Sequence, residues 1–263
     1  MKMPDTLHSK QTRNWRFSFK ALFFHFVISM VLMALLSVLV FAVWYPAPYF
    51  DLMGSWHLIL MIAGVDLVCG PILTLIAANS NKSRQELIRD FAIIAIIQLC
   101  ALAYGIYALA QSRPVADVFD KDRFYVVTAL QIEPDRLKKA PEGMNHLPLF
   151  GIIKAGTRNA QNEKEFFDGV TLSLAGIPPA VRPDWWTPEN DAADKIAKAK
   201  LPLSKLLAAK PDTRPVIENT LKQKNIDELY YLPFTAEKNL GWIVILDKNN
   251  QRLAYAPVDG FSE

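Results

Sequence analysis

The sequence predicts an α-helical membrane domain with three transmembrane helices, followed by an α+β extracytoplasmic domain. Three observations carry this. Residues 21–45 and 91–110 contain no Asp, Glu, Lys or Arg. Residues 58–78, LILMIAGVDLVCGPILTLIAA, are equally apolar apart from Asp66. The roughly 150 residues after Gln111 are enough for one globular domain and alternate β-branched and aromatic stretches with polar helical ones.

A helix needs roughly 20 apolar residues to cross a bilayer core, so spans are placed at about 21–45, 56–78 and 91–110. The first run is too long for a signal-peptide core and ends in Trp44-Tyr45-Pro46 rather than in a small-residue cleavage site, so it is expected to stay as an anchor. The division is then a basic tail, 1–20, a three-span domain, 21–110, and an extracytoplasmic domain, 111–263.

A net charge of +3 with 51% hydrophobic residues hides how the charges are distributed. As far as Phe91, basic residues occur in the tail (Lys2, Lys10, Arg13, Arg16, Lys20) and after the second run (Lys82, Arg84, Arg89), while the loop Pro46–Ser55 has none. By the positive-inside rule the tail and the basic loop are cytoplasmic, and three spans then carry everything after Gln111 across, into the periplasm of a bacterium. Trp15, Trp44, Tyr45, Trp56 and Tyr107 lie near span ends, as interfacial aromatics do. The basic excess therefore reports topology, and no basic face for nucleic acid is evident. Both cysteines, Cys69 and Cys100, fall inside spans, so the C-terminal domain must be stabilised by packing.

In that domain, Arg123–Ile132 and Leu149–Gly156 read as strands. Asn159–Ala175 reads as a polar helix, and the segments around Pro202 as two short helices or one kinked helix, with another over Arg214–Lys224. ELYYLPFTA, LGWIVILD and RLAYAPV read as antiparallel strands with a turn at Lys248-Asn249-Asn250.

Catalytic patterns are missing. His8, His25, His57 and His146 are isolated from second ligands, and there is no GxSxG, phosphate-binding glycine loop or nucleophilic cysteine outside the spans. No metal, cofactor or enzymatic activity is expected. Asp117, Asp120 and Asp122 lack the glycine and distal glutamate of a calcium loop and read as a solvated connector. Trp185-Trp186 reads either as a binding platform or as loop packing.

The positive signal is the second span. A carboxylate at bilayer depth costs at least ~2.5–3.5 kcal/mol. Ala63, Asp66, Gly70, Thr74 and Ala77 recur at spacings of three and four, which makes a small and polar stripe on one face. Pro71 should disturb the turn at Leu67. Gln98 of the antiparallel third span should lie within about one helical turn of Asp66 in depth. The stripe can hold the helices together, receive another protein's membrane helix, or serve an ion pathway.

GVDLVCGPILTLI, the basic loop, the third span and then RPVADVFDKDRFYVVTA resemble the type IV pilin accessory proteins of the TfpX/TfpZ type. The resemblance implies a non-catalytic inner-membrane protein acting on pilin assembly, surface display or pilus dynamics, with the major pilin as partner and other pilus assembly components and membrane lipid around it. Such a pilin waits in the membrane with one long apolar helix, typically bearing a glutamate near its start, and a periplasmic head. The stripe Ala63, Asp66, Gly70, Pro71 and Thr74, with Gln98, is the expected contact for the pilin helix. Arg113, Pro114, Arg123 and Phe124, together with Trp185 and Trp186, are the expected contacts for the head. An envelope sensor with a periplasmic ligand-binding domain, and a membrane enzyme or transporter component using Asp66, are the other readings.

Overall fold

The structure is a computed structural model, and it describes residues 14–221 and 226–261. Lys2, Lys10, Arg13, His8 and the end of the helix expected as far as Lys224 lie outside the described residues. The described chain divides into two compact units. One holds the residues up to Leu39 and Trp56–Ala108, and the other Val40–Ser55 and the residues from Leu109 onward.

Three helices are long and apolar enough to span a membrane: Trp15–Trp44, Trp56–Ala77 and Arg84–Ser112. The first and third helices begin before their apolar runs, at Trp15 and Arg84, while the second keeps to its expected bounds within one residue. The third begins at Arg84, so the basic loop is shorter than expected, and Arg84 and Arg89 ride on the helix itself. Ser83 explains that start: its amide donates to Glu86 Oε2 at 2.8 Å while its hydroxyl accepts from the Glu86 amide at 3.3 Å, a reciprocal cap.

Within the first unit, spans one and two run antiparallel and are joined by polar contacts. Ser18 Oγ donates to the Ala78 carbonyl, Asn14 N donates to Ser80 Oγ at 3.0 Å, and His25 Nδ1 lies 2.5 Å from Thr74 Oγ1. Spans two and three meet at glycines. A Cβ on Gly70 would fall 1.9 Å from Gln98 Nε2, and one on Gly105 would fall 2.6 Å from Ile62 Cγ1, so a larger residue at either position requires the facing side chain to move. The disturbance expected from Pro71 takes the form of a π-helical turn over Gly64–Cys69, in which the Gly70 amide donates to the Val65 carbonyl. Widening the turn relieves the ring of Pro71 from the carbonyl one turn back.

The second unit is a mixed sheet of eight strands: β1 (Pro114–Asp120), β2 (Arg123–Thr128), β3 (Ile153–Thr157), β4 (Trp186–Pro188), β5 (Leu201–Pro202), β6 (Tyr230–Ala236), β7 (Asn239–Leu246) and β8 (Arg252–Ala256). Their order is β4-β3-β1-β2-β6-β7-β8, with β5 on β6. β1 runs parallel to β3, and β2 to β6; the other pairs are antiparallel.

Side chains alternate across β6. Leu232 and Phe234 join Phe124, Val126 and Val244 on one face. Tyr231 joins Ile243 and Ile245 on the other, under Leu203, Leu206 and Ile217 of the helices Leu203–Ala209 and Arg214–Leu221. The first face is covered by Ile196 of the helix Ala193–Ala199, and also by Tyr49 and Leu52 from the short helix Tyr49–Met53.

The link between spans one and two is therefore part of the C-terminal unit. Tyr45 donates to the Leu109 carbonyl at 2.8 Å, and Asn239 Nδ2 donates to the Leu52 carbonyl at 3.0 Å. Residues sharing one core lie on one side of a bilayer, so spans two and three form a hairpin that leaves this side and returns to it.

Candidate functional site

In the first unit a cavity of about 360 Å³ lies between spans one and three and is floored by span two. Phe24 and Ile28 of span one and Leu99 of span three form its apolar rim. Asp66 and Thr74 line it from span two, with His25, Ser29 and Gln98 on its walls. Asp66 is 4% exposed, and its Oδ2 has no hydrogen-bond partner among the described residues. Desolvating a carboxyl oxygen and leaving it unpaired is costly, so this atom is available to a donor or acceptor that enters the groove.

The stripe is therefore split by the structure. Asp66 and Thr74 face the groove, and Gln98 joins them. Gly70 and Pro71 are buried, with Gly70 against Gln98. Ala63 is half-buried and does not line the cavity. The residue missing from the sequence-derived stripe is His25, which has no second metal ligand at a suitable spacing in the chain. The available signal was that it is the one basic side chain in a run free of Asp, Glu, Lys and Arg. Across the unit it meets Thr74 and stands close enough to Asp66 to act on it electrostatically.

In the second unit the expected contacts are placed differently from one another. Arg113 closes the third span, Nη1 donating to the Ala110 carbonyl at 2.5 Å with the guanidinium 5.9 Å from the Trp44 ring centre. Pro114 is buried at the start of β1. Arg123 pairs with Asp122 at 2.8 Å and lies over Phe261. Phe124 is 1% exposed and is a core residue. For the tryptophans, packing describes what is observed: Trp186 is 2% exposed and its Nε1 donates to the Ala180 carbonyl at 2.8 Å. Trp185 is sandwiched by Arg158 and Arg182 on the wall of a second cavity.

The expected solvated connector at Asp117, Asp120 and Asp122 is corrected at the first two, while Asp122 is exposed in the turn after β1. Asp117 and Asp120 belong to β1, and Asp117 is fully buried. Arg252 of β8 supplies the reason, its Nη1 lying 3.1 Å from Asp117 Oδ2, while its Nη2 lies 2.6 Å from Glu189. Burial pushes the Asp117 carboxyl above the usual range, with Arg252 pulling the other way. Asp120 is also raised by burial, opposed by a hydrogen bond from Thr157.

Among curated proteins, the chain is 36% identical over 240 residues to the fimbrial assembly protein of Dichelobacter nodosus serogroup I, an alignment covering 90% of this chain and 93% of that protein. The serogroup E1 protein of the same organism matches with the same identity and coverage. The chain belongs to the fimbrial assembly protein family. These are the type IV pilus accessory proteins that its second span and connector resemble. The fimbrial assembly protein of serogroups C1 and C2 is 44% identical over 116 residues, which is 88% of that protein and 44% of this chain. A family profile, fimbrial assembly protein FimB, matches residues 13–54. That stretch includes His25 and the helix Tyr49–Met53 and stops before Asp66. No solved structure matches the chain.

Proposed function

We propose that this fimbrial assembly protein is a non-catalytic inner-membrane accessory that binds the major pilin laterally and modulates its assembly, surface display or the dynamics of the pilus. The observation that carries the reading is the unpartnered Asp66 Oδ2 at the floor of a groove whose rim is apolar. Apolar walls suit a membrane helix, and a buried carboxyl with a free oxygen suits a polar side chain carried by that helix. A pilin helix with its glutamate fits both requirements.

The basic residues Lys82, Arg84 and Arg89 at the turn of the hairpin favour a cytoplasmic turn and tail. The C-terminal unit is then periplasmic, where it can meet the pilin head. Arg123, half-exposed at the turn after β1, is one contact available there.

A photocrosslinking amino acid at Leu99, which lines the groove, tests this against one at Ile96, which is exposed on the same helix but does not. The expected result is a pilin adduct from position 99 alone, reduced by Asp66→Asn. Equal adducts from both positions, or none from either while surface pilin depends on the protein, would remove the groove from the account.

A further inference from the structure

The second unit contains a cavity of about 500 Å³ between the helix Glu163–Leu174 and the ends of β1 and β3. Its polar wall is strongly cationic. Lys121, Arg158, Arg182 and Lys195 line it, against a single lining carboxylate, Asp120, while Glu165 engages Arg158 from outside the lining. Arg182 is the unusual member. It is 1% exposed and stacks 4.2 Å from the Trp185 ring centre. Its Nε and Nη2 are buried without hydrogen-bond partners among the described residues, and Asp184, Asp120 and Glu165 act on it without forming an ion pair.

A buried guanidinium left unpaired is expensive unless something brings a counter-charge. Facing this wall is an apolar one. Phe166, Val170 and Leu174 lie along one side of the helix, largely exposed, with Leu174 at 86%. A row of exposed apolar side chains beside a charged recess marks an interaction surface.

We propose that this cleft binds an extended peptide segment of a partner protein in which a carboxylate stands beside an aliphatic or aromatic side chain. The carboxylate meets the cationic wall at Arg182, and the apolar side chain packs on Val170 and Leu174. The recess favours a chain segment over a lipid surface, because a flat layer of headgroups reaches the rim but does not enter a cavity whose key cation is almost fully covered. That the segment belongs to a pilin head rests on the proposed function. The site itself does not.

The test uses the full-length protein in detergent and an array of immobilised peptides of about eight residues. Each carries Asp or Glu beside Leu, Ile or Phe, next to a matched peptide carrying Asn or Gln. Acidic peptides are expected to bind at least about tenfold more tightly than their amide partners. Arg182→Met should abolish that preference, and Leu174→Asp should weaken binding of the whole set. Because Arg182 is buried, Lys195→Met serves as a second probe and should narrow the preference. Lys195 is half-buried and the change gives up its hydrogen bonds to the Thr157 carbonyl and Asn159 Oδ1, so thermal unfolding of both variants confirms that they fold.

Equal binding of acid and amide peptides, or a preference that survives both Arg182→Met and Lys195→Met, would overturn the proposal. So would lipid photolabelling of the helix, in nanodiscs of phosphatidylethanolamine and phosphatidylglycerol, that Leu174→Asp removes while peptides are not discriminated. Pilin takes no part in this readout, so failure here and failure of crosslinking at Leu99 are separate results.

Discussion

The Tyr49 hydroxyl donates to Asp117 Oδ2 at 3.1 Å, joining the link between the first two spans to the first strand of the C-terminal sheet. Tyr49 also packs edge-on against Phe234, and Arg252 Nη1 lies 3.1 Å from the same Asp117 oxygen. One buried carboxylate therefore gathers a tyrosine and an arginine that are about 200 residues apart in the chain.

Removing the tyrosine hydroxyl should matter. Tyr49→Phe keeps the ring and deletes one hydrogen bond to a buried charged group, an expected loss of about 1.5–3 kcal/mol. Urea unfolding of the C-terminal unit in the full-length protein, followed by tryptophan fluorescence, reads it.

Arg252→Met should cost more, about 3–5 kcal/mol, because it strands the buried Asp117 carboxylate. The double change Asp117→Leu with Arg252→Met should recover most of that loss. If the double variant is as unstable as the single one, the pair is not what stabilises this region.

Gly70→Leu is expected to disrupt the membrane unit itself, since even a Cβ there would meet the Gln98 side chain. Overpacking of this kind costs about 1–3 kcal/mol. Shortening the obstacle with Gln98→Ala should restore part of it. Resistance of the detergent-solubilised protein to thermal aggregation is the measurement, and lack of rescue would mean that Gly70 is constrained by something else.

The ion pair of Glu165 with Arg158 gives a pH prediction. Hydrogen bonding from Arg158, helped by the Gln161 amide, draws the Glu165 carboxyl down to about 2 from its usual 4.5. A carboxyl lowered in the folded state stabilises it above the unfolded value, and that contribution is lost as pH falls through the folded one. Between about pH 4.5 and about 2 the protein should therefore lose stability that Glu165→Gln lacks from the outset. Because Arg158 lies 4.8 Å from the Trp185 ring centre, indole emission should follow the same titration.

The parts of the fold legible in the sequence were those set by composition over many residues. Three long apolar runs identify the spans, and the continuous β-branched and aromatic runs in ELYYLPFTA and LGWIVILD identify β6 and β7, whose two faces are both covered. Helix ends were less legible: Arg84 begins the third span because Ser83 and Glu86 cap it, a local exchange that hydropathy does not register. β1 was missed outright. Its PVADVFD carries two acidic residues, and nothing nearby in the chain announces that Arg252 neutralises one of them. The groove was half legible. Asp66 and Gln98 stood out by type and depth, whereas the relevance of His25 depended on which face of the first span meets Thr74.

The participation of Tyr49 and Leu52 in the sheet's core also sets an order of events in biosynthesis. These residues leave the ribosome well before Asp117, Phe124 and Phe234, which they must join, and a membrane hairpin is made in between. The core can close only after that hairpin has been threaded out and back, bringing both ends to the same compartment. A chain that inserts one span too few strands Tyr49 and Asp117 on opposite sides of the lipid. A chain that completes the sheet's core has thus inserted the hairpin, and one that has not leaves the places of Tyr49 and Leu52 in that core unfilled.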